Sequence, residues 1–590
     1  MNYCENPFHY RRRTTREVMV GNVGIGGANP VRVQSMITCD TMDTEASIGQ
    51  TIELAEAGCE IVRITAPTVK DSANLQNIVN GLRARGCHVP IVADIHFKPE
   101  AAMEAAKWVE KVRINPGNYA DSKKFKILEY TDEQYAAELE RIRQRFSPLV
   151  KVCKELGRAM RIGTNHGSLS DRILNRYGDT PLGMVESALE FARIARDLDY
   201  HAFVFSMKSS NPKVMIAAYR LLVARLSEEG ADWNYPIHLG VTEAGEGEDA
   251  RIKSAIGIGS LLEDGIGDTI RVSLTEDSIH EIPVARAMVA LFTTGRRPEA
   301  PKVAADLPFD PFSYVRRPSQ TIERDRFRLG GEETIRVVVR QESFDKVAHK
   351  IDRLGDYKPE IVYEKADVRE LDPRDDDAIA KLNGESEPQL VTACDGLDLP
   401  MIAAFRLLAA KVATRHPILL KDELAKGKEG REFLNTLLNA ATNIGSLLCD
   451  GIGDAVLIQG EEAPGQALRL SYNILQAAGS RIFKTDYVAC PSCGRTLFNL
   501  QTTTARIKEA TSHLKGVKIA IMGCIVNGPG EMADADFGYV GGAPGKVNLY
   551  VGKTAVKFNI PETEAVARLQ DLIREHGKWV EPVAAEPVPA

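Results

Sequence analysis

The sequence predicts an α/β protein in three parts: an N-terminal (β/α)8 TIM barrel, a βα-rich middle domain derived from that barrel, and a small C-terminal α+β domain. Short runs rich in β-branched residues recur at roughly thirty-residue intervals in the first half of the chain. Two segments of that half recur further along at one common offset. Motifs containing three cysteines lie near the C-terminus. We therefore expect domains at residues 1–300, 301–481 and 482–590.

The composition is that of an ordinary globular chain. Its 590 residues are enough for several domains that each bury a core, and the formal net charge is −7. This charge gives no footprint for nucleic acid or an anionic membrane, and no apolar run approaches the roughly 20 residues that span a bilayer. No apolar run follows the arginines at 11–13, so a signal peptide is not expected, and ten scattered cysteines fit a reducing compartment. We expect a cytoplasmic bacterial protein.

The first domain shows strand and helix patterns in alternation. Strands are expected near residues 31, 61, 89, 111, 160, 202, 237 and 269. Helical periodicity lies between most of them, as in 45–57 and 180–198. A doubly wound sheet would not predict eight units so evenly, and a (β/α)8 barrel is favoured. The glycines of 21–27 do not spell a dinucleotide fingerprint and indicate a hairpin before the barrel.

Basic residues lie in or just after five of these strands, at the end where such barrels carry their chemistry. They are Arg63, Arg113, Arg161, Lys208 and Arg271. Five cations directed at one mouth would repel one another without an anion between them, and a phosphate or diphosphate suits arginine forks. For any one of them, an ion pair with a neighbouring carboxylate is the simpler explanation. Together they predict a phosphorylated, anionic substrate.

Other polar residues are expected at the same level of the barrel. They are Asn115, Asn165 and Ser273, with Asp94 and His96 ending the third strand and Thr242 and Glu243 ending the seventh. A carboxyl group among cations at a barrel mouth is a candidate general acid or base. The alternatives are that Glu243 only pairs with an arginine and that His96 is structural.

The middle domain repeats part of the barrel. The sequence I-G-S-L-L-E-D-G-I-G-D (258–268) recurs as I-G-S-L-L-C-D-G-I-G-D (444–454), and M-I-A-A-Y-R-L-L (215–222) recurs as M-I-A-A-F-R-L-L (401–408). Both pairs are offset by 186 residues. Two matches at one offset predict an internal duplication that covers at least strands six to eight. The alternative is that only a favourable Gly-rich turn recurs.

The copy lacks the cations of the barrel. At the common offset Lys208 falls on Cys394 and Arg271 on Leu457. We expect a spacer or platform without a second active site, joined to the barrel by a Pro-rich linker over 298–318.

The C-terminal domain contains motifs suited to a metal centre. The sequence C-P-S-C-G-R (490–495) is followed, after a predicted strand at 517–522, by G-C-I-V-N-G-P-G-E (523–531). The candidate ligands are Cys490, Cys493, Cys524 and Glu531. Three soft thiolates with one hard carboxylate indicate a site that is not fully closed, in which the iron on the carboxylate is most easily given to a substrate. A zinc ribbon, or two unrelated cysteine pairs, is the alternative from spacing alone.

The rest of this domain shows a helix pattern at 503–514 and an alternating hairpin pattern at 547–558. The Pro/Ala-rich tail at 581–590 is expected to be disordered.

The motifs at both ends resemble those of one family. C-P-S-C-G-R and M-G-C-I-V-N-G-P-G-E resemble the C-terminal domain of the 4-hydroxy-3-methylbut-2-enyl diphosphate synthase family. Its barrel motifs are matched in order by V-Q-S-M, A-D-I-H-F, V-R-I-N-P-G-N, R-I-G-T-N-H-G-S-L, S-M-K-S-S, V-T-E-A-G and G-D-T-I-R-V-S. The middle domain matches the long form of that family.

The resemblance implies an iron–sulfur oxidoreductase of the non-mevalonate isoprenoid pathway. The expected reaction is reductive ring opening of 2-C-methyl-D-erythritol 2,4-cyclodiphosphate, with loss of water, to (E)-4-hydroxy-3-methylbut-2-enyl diphosphate. The resemblance also implies one [4Fe-4S] cluster on Cys490, Cys493, Cys524 and Glu531, substrate contacts from the barrel cations and Asn527, and proton donation by Glu243. Ferredoxin or flavodoxin is implied as the electron donor.

We expect the C-terminal domain to close over the barrel mouth with the substrate between them. In short-form relatives a second subunit supplies this cap, whereas the middle domain could let a long chain cap its own barrel, so that a homodimer would be structural only. Two alternatives remain from the sequence. One is another cluster-dependent dehydratase or reductase acting on a phosphorylated substrate, and the other is a zinc-stabilised binding protein on an inactive barrel.

Overall fold

The computed structural model describes residues 2–120, 129–293, 305–424, 431–525, 528–532 and 534–582. Within these residues the N-terminal part forms a barrel of eight parallel strands behind a hairpin. The hairpin strands are β1 (Val18–Val20) and β2 (Val23–Ile25), and the barrel strands are β3 (Arg32–Met36), β4 (Ile61–Thr65), β5 (Ile91–Asp94), β6 (Lys111–Ile114), β7 (Ala159–Asn165), β8 (Phe203–Lys208), β9 (His238–Leu239) and β10 (Thr269–Ile270). Neighbours pair in the order β8-β7-β6-β5-β4-β3-β10-β9, and a bridge between Phe205 and Ile237 joins the two ends. The predicted barrel is confirmed.

Helices surround the barrel. They are α1 (Thr44–Glu56), α2 (Val69–Ala84), α3 (Pro99–Ala105), α4 (Pro116–Tyr119), α5 (Asp132–Glu155), α6 (Asp171–Tyr177), α7 (Pro181–Asp197), α8 (Pro212–Glu229), α9 (Gly247–Glu263) and α10 (Glu281–Thr293). Their starts are set locally: Thr68 and Asp71 form a reciprocal capping box at α2, and Thr180 caps α7 ahead of Pro181. The two helices expected from periodicity, at 45–57 and 180–198, are present as α1 and α7.

The N-terminal hairpin closes one end of the barrel. Val18, Val20 and Ile25 pack against residues at the beginnings of the barrel strands, among them Ile61 and Ala159. Burying these apolar side chains removes the amino-terminal end of the barrel from solvent. The carboxyl-terminal end is the one left for chemistry, as in other barrels of this type.

The middle domain repeats this layout in reduced form. Its described residues contain a hairpin, β11 (Ile322–Arg324) and β12 (Phe327–Leu329), and then the parallel strands β13 (Arg336–Val339), β14 (Ile361–Val362), β15 (Val368–Leu371), β16 (Leu390–Ala393), β17 (Leu419–Lys421) and β18 (Ala455–Leu457). The strands pair as β14-β13-β18-β17 and β15-β16, and a parallel bridge between Val391 and Ile418 links the two groups. The helices are α11 (Gln341–Ala348), α12 (Asp376–Gly384), α13 (Met401–Lys411), α14 (Phe433–Cys449) and α15 (Pro464–Ala477).

The likeness between the two units reaches further than the sequence repeat indicates. In the barrel, Arg12 lies 3.0 Å from Asp268, and in the middle domain Arg316 lies 3.1 Å from Asp454. Each arginine precedes a hairpin that leads into the first parallel strand of its unit. The front of the barrel therefore also has a counterpart, and the sequence repeats there at a second offset, with P-F-H-Y-R-R-R (7–13) corresponding to P-F-S-Y-V-R-R (311–317).

The two units pack through the repeated segments themselves. Helices α9 and α14 lie side by side, and the hydroxyl oxygens of Ser260 and Ser446 are 2.6 Å apart. A side chain at Gly259 would collide with Thr442, so a glycine is needed where the helices are closest.

A buried ring of charges lies beside these helices. The guanidinium of Arg220 donates to Asp264 and Asp450 at 2.8 Å each, and that of Arg406 donates to the same two carboxylates at 2.8 and 2.9 Å. All four side chains are at most 3% exposed. Because each charged group contacts two groups of opposite charge, the ring fixes the orientation of the middle domain relative to the barrel.

Part of the predicted linker is packed instead of free. Residues 294–304 lie outside the described residues, but the following segment is ordered by burial of Phe309 and Arg317. Arg317 donates to the carbonyl oxygens of Val412 and His416, at 2.8 and 3.1 Å. The Pro-rich composition concealed these contacts because they depend on residues about a hundred positions away.

The C-terminal domain has a mixed five-stranded sheet in its described residues. The strands are β19 (Asp486–Ala489), β20 (Lys518–Met522), β21 (Phe537–Ala543), β22 (Lys546–Val551) and β23 (Thr554–Pro561), in that order, and the helices are α16 (Leu500–Thr511), α17 (Gly528–Glu531) and α18 (Glu562–Glu575). The predicted hairpin at 547–558 is formed by β22 and β23. The predicted helix at 503–514 starts earlier, because Asn499 caps it. The expectation of a disordered tail concerns residues that, from 583 on, lie outside the described part.

Candidate active site

The C-terminal domain lies over the open mouth of the barrel of its own chain, and we call it the cap (residues 482–582). Gly245 of the barrel donates to the carbonyl oxygen of Ala489 at 3.2 Å, and the hydroxyl of Thr275 donates to that of Cys490 at 3.2 Å. Two ion pairs also cross the boundary, Lys253–Asp486 at 3.1 Å and Lys508–Glu246 at 2.7 Å. One chain therefore supplies both walls of the space between them.

That space is a cavity lined by both domains. The barrel side consists of Met36, Arg63, Asp94, Arg113, Asn165, Lys208, Thr242, Glu243, Arg271 and Ser273, and the cap side of Cys490, Pro491, Cys493, Arg495, Met522, Cys524 and Gly528. Most of the site residues expected from the sequence thus lie in one wall or the other. The cation cradle and the cysteines face each other across the cavity.

Carboxylates contact three of the five predicted cations, and the Nε of Arg63 lies 3.9 Å from an oxygen of Asp94. Arg113 donates to Asp94 at 2.8 Å, and Arg271 forms a bidentate pair with Glu281 at 3.0 and 3.1 Å. Glu281 lies outside the cavity lining, so its pair fixes the orientation of Arg271 without filling the mouth. Pairing with a carboxylate and a role in anion binding are compatible here.

Repulsion from the neighbouring cations acts most strongly on Lys208 and Arg161. Burial lowers the pKa of Lys208 well below its usual range, and Arg63, Arg161 and Arg271 lower it further. Arg161 lies outside the cavity lining, with its Nε and NH2 buried and without a hydrogen-bond partner among the described residues. An anion in the cavity would relieve both effects.

Two predicted substrate residues, His96 and Asn115, have structural contacts as well. His96 lies 3.5 Å from Asp94 and 3.2 Å from Arg113, and burial together with Arg495 lowers its pKa to about 3, so it is neutral. The amide of Asn115 donates to Ser168 at 2.6 Å, and its oxygen caps α4. Neither His96 nor Asn115 lines the cavity, whereas Asn165 does.

Glu243 has the environment of a candidate acid. It follows β9 in a loop, since that strand ends at Leu239 and not at the predicted residues 242–243. Its φ of 49° is in the left-handed region that non-glycine residues seldom adopt, which marks a held conformation. Burial raises its pKa although Thr242, Lys208 and Arg271 act in the opposite direction, and its Oε2 has no partner among the described residues.

The three cap cysteines suit an iron–sulfur centre. Burial raises the pKa of Cys490 well above its usual range, and Cys524 and Cys493 add to the shift because they face the same space. The backbone N–H of Gly523 donates to the Cys490 sulfur at 3.2 Å, a contact that tunes such centres. Within the described ranges, no group of three or more Asp, Glu, Cys or His side chains is arranged to hold a single metal ion. A cluster instead takes each ligand on a different iron, and the donor set fits it.

Glu531 contacts the barrel. Its carboxylate accepts from the hydroxyl of Thr242 at 3.1 Å and from the backbone N–H of Gly167 at 3.4 Å. A side chain at Gly167 would overlap the backbone of Gly530 and Glu531, so this loop touches the cap only because it has a glycine there. The remaining predicted substrate residue, Asn527, lies outside the described residues.

Sequence reasoning missed Arg495, a cation in the cap wall of the cavity. The signal was present, since the residue follows Cys493 by two positions in C-P-S-C-G-R.

Comparisons with known proteins agree with this arrangement. A family model described as the GcpE TIM-barrel domain matches residues 15–286, and one described as the GcpE protein C-terminal domain matches 486–575. A 4-hydroxy-3-methylbut-2-en-1-yl diphosphate synthase (flavodoxin) of Akkermansia muciniphila is 61% identical over 98% of this chain and 99% of its own length. This chain belongs to the GcpE family.

Other relatives named as this synthase match nearly the whole of this chain. The flavodoxin-named synthase of Leptospira interrogans is 46% identical over 98% of this chain and 99% of its own. The chloroplastic, ferredoxin-named synthase of Arabidopsis thaliana is 43% identical over 99% and 90%. Among solved structures, a sialic acid synthetase of Leptospira borgpetersenii is similar over 49% of this chain and 93% of its own, at 12% identity and a TM-score of 0.32, and we draw nothing from it. Among the residues described here, none of the helices has the length and apolar character that crossing a membrane requires.

Proposed function

We propose that this GcpE-family chain is an iron–sulfur oxidoreductase that converts 2-C-methyl-D-erythritol 2,4-cyclodiphosphate into (E)-4-hydroxy-3-methylbut-2-enyl diphosphate in the non-mevalonate pathway. One observation carries the proposal: a single cavity has the barrel cations on one wall and three cysteines on the other. An anionic substrate and a redox centre are thus brought within one enclosed space.

The barrel cations bind the diphosphate. Arg63, Arg113, Lys208 and Arg271 line the cavity with Ser273 and Asn165, and Arg161 lies behind them. Ring opening frees a phosphate oxygen that was an ester, so the product carries more negative charge than the substrate. Cations held in place before the reaction stabilise that developing charge without having to reorganise.

Asp94, His96 and Asn115 act mainly by orienting other groups. Asp94 and His96 contact the guanidinium of Arg113 on one side. On the other side, the NH2 of Arg113 donates to Asn165 at 3.2 Å. Asn115 fixes the start of α4 and the hydroxyl of Ser168. These contacts support a positioning role in the cradle, with the direct diphosphate contacts made by the residues of the lining.

Glu243 supplies a proton to the oxygen that leaves as water. The reaction takes up two electrons, breaks one carbon–oxygen bond to the diphosphate and removes one oxygen as water. A carboxylic acid whose pKa is raised by burial stays protonated at a higher pH than an exposed one, as a general acid requires. Its unbonded Oε2 is free to reach the departing oxygen.

Cys490, Cys493 and Cys524 would hold one [4Fe-4S] cluster, with Glu531 as the fourth, exchangeable ligand. Such a cluster supplies single electrons, and an iron that polarises a substrate oxygen. Thr242 and Gly167 give the carboxylate of Glu531 an alternative position against the barrel. Asn527, between two of these ligands in the sequence, is assigned a substrate contact on the strength of the family motif. The electron donor is a ferredoxin or flavodoxin, as named for the relatives.

We assign residues 1–300 to the substrate barrel, 301–481 to a partial copy of it, and 482–590 to the cluster domain with its tail. The shared strand order, the paired arginine–aspartate contacts and the buried charge ring support the duplication. The copy acts as a platform that lets the cap reach its own barrel. Dimerisation is therefore not needed to complete the site.

The test is anaerobic turnover of the cyclodiphosphate with a chemical reductant. We expect formation of the linear hydroxylated diphosphate by the wild type, and its loss in Cys524→Ser together with loss of the brown cluster chromophore. A wild-type protein that carries a cluster but leaves the cyclodiphosphate unchanged would exclude this reaction. Full turnover by Cys524→Ser would exclude the ligand assignment.

A further inference from the structure

Arg495 is the only cation that the cap contributes to the cavity lining in the part of the chain the structure describes. Arg495 is the last residue of C-P-S-C-G-R and follows Cys493 by two positions. None of the roles assigned above uses it. Burying a cation costs free energy, so Arg495 beside three thiols requires an interaction that offsets this cost.

The guanidinium lies between the cap thiols and the barrel wall. Cys493, two residues before it in the chain, lines the same cavity on the cap side. A guanidinium stays protonated in proteins, so the group carries a full positive charge. The charge is therefore close to groups from both domains.

Two of its donors lack protein partners. Nε and NH1 are buried and form no hydrogen bond with any described residue. Asp94 is already engaged by Arg113 at 2.8 Å, and Glu243 lies in the same cavity with its own Oε2 unbonded among the residues that the structure describes. Leaving charged donors buried and unpaired is costly, so donors of this kind are usually there for a ligand.

The charge balance of the cavity points to the kind of ligand. Arg495 lowers the pKa of His96 and, with Arg271 and Arg113, that of Arg63, which burial and these neighbours bring to about 10. A sixth cation therefore adds to a wall that is already positive. Cations at this spacing repel one another, and an anion that shares the space offsets the repulsion.

We propose that Arg495 binds an oxygen of the substrate diphosphate from the cap side, next to Cys493, so that one side chain joins substrate binding to the surroundings of the iron–sulfur centre. The inference deepens the proposed function and rests on it. The barrel cations bind the diphosphate from the barrel side of the cavity, and Arg495 binds it from the cap side. A correctly seated cap would then be favoured by bound substrate.

Two measurable effects follow. Loss of one charge-assisted hydrogen bond to an anion should weaken substrate binding by about 10- to 100-fold. Loss of a positive charge beside a cluster ligand should make reduction harder, and a tenfold change in that equilibrium is about 59 mV for a one-electron couple. A merely structural role for Arg495 would not produce both effects in a folded, cluster-loaded protein.

The experiment compares Arg495→Gln with the wild type, with Arg495→Lys and with the control Arg506→Gln. Arg506 is an exposed arginine on α16 of the same domain, so its loss changes the net charge equally without touching the cavity. Binding of the cyclodiphosphate is measured on the holoenzyme with the cluster oxidised and no reductant, so that no turnover occurs. The midpoint potential is measured by a redox titration followed by electron paramagnetic resonance.

We expect Arg495→Gln to raise the Kd at least tenfold and to lower the potential, while Arg506→Gln changes neither. Arg495→Lys should keep most of the potential and recover only part of the affinity, because an ammonium is a point charge without the planar fork. Should Arg495→Gln fail to load its cluster, Arg495→Lys carries the comparison, and a wild-type Kd in that variant overturns the proposal.

An unchanged Kd in a cluster-loaded Arg495→Gln protein overturns the inference and leaves the proposed function intact. A shifted potential with an unchanged Kd also overturns it, because the substrate contact would be absent. A wild-type holoenzyme that does not bind the cyclodiphosphate overturns the function and the inference together.

Discussion

The hydroxyl oxygens of Ser260 and Ser446 are 2.6 Å apart, although 186 residues separate them in the chain. Each occupies the same position in its copy of I-G-S-L-L, so a repeat visible in the sequence meets itself in the fold. The contact lies where α9 packs on α14, with the buried charge ring close by. The junction between barrel and middle domain thus behaves like an interface between two related subunits.

The charge ring should be the most sensitive part of that junction. Replacing Arg406 by Ala leaves Asp264 and Asp450 buried with half of their partners, and loss of one member of a buried pair costs about 3–5 kcal/mol. Chemical denaturation measures the effect. Arg374→Ala, which breaks a half-exposed pair with Asp372, should cost about 0–1 kcal/mol. Equal effects of the two substitutions would show that the ring does not hold the units together.

Gly167 should control closure of the cap. A methyl group there overlaps the backbone of Gly530 and Glu531, so Gly167→Ala should prevent the cap from seating. We expect turnover to fall by about 100-fold or more, because a small displacement of reacting groups is that costly. Far-ultraviolet circular dichroism and the cluster absorbance should remain unchanged. Gly49→Ala, in α1 with open space around it, is the matched control, and a fully active Gly167→Ala would contradict the closed arrangement.

Glu243→Gln should retain substrate binding and lose turnover by about 10²- to 10⁴-fold, the usual contribution of a positioned acid. Because burial raises the pKa of Glu243, the acid form is lost only as the pH rises through that raised value. Wild-type kcat should therefore fall on the alkaline side, and the residual activity of the variant should lack this limb. Glu138→Gln, on the surface of α5, serves as the control. An unaltered kcat in Glu243→Gln would remove it from the mechanism.

Asp422 should make the stability of the chain depend on pH. Burial and Glu423 raise its pKa to about 7, against backbone N–H groups of Gln459 and Gly460 that act in the opposite direction. Since the folded pKa lies above the unfolded value of about 3.9, its contribution is fully present below about pH 4 and is lost as the pH rises to about 7. The loss has an upper bound of about 4 kcal/mol.

Asp422→Asn should therefore flatten the dependence of Tm on pH between about 5 and 8. Differential scanning calorimetry at several pH values measures this, and turnover should be unchanged because Asp422 lies in the middle domain, outside the cavity lining. Parallel Tm curves for the variant and the wild type would contradict the assignment.

Much of the fold could be predicted because its signals are local. A β-branched run followed by a capped amphipathic helix, repeated eight times, leaves few alternatives to a barrel. The prediction was wrong or incomplete where distant residues decide. Thr242 and Glu243 lie in a loop and not in a strand, and Arg317 turns half of a linker into packed structure.

The sequence by itself determined which chemistry is available: five strand-end cations, a carboxyl group among them, and three thiols with a carboxylate in two short motifs. These are properties of residue type and spacing, which need no coordinates. Only the tertiary structure decided which groups face one another, because that depends on how the cap packs on the barrel. It brought Glu531 to Thr242, placed Asn115 and His96 behind the cavity wall, and put Arg495 between the thiols and the cradle.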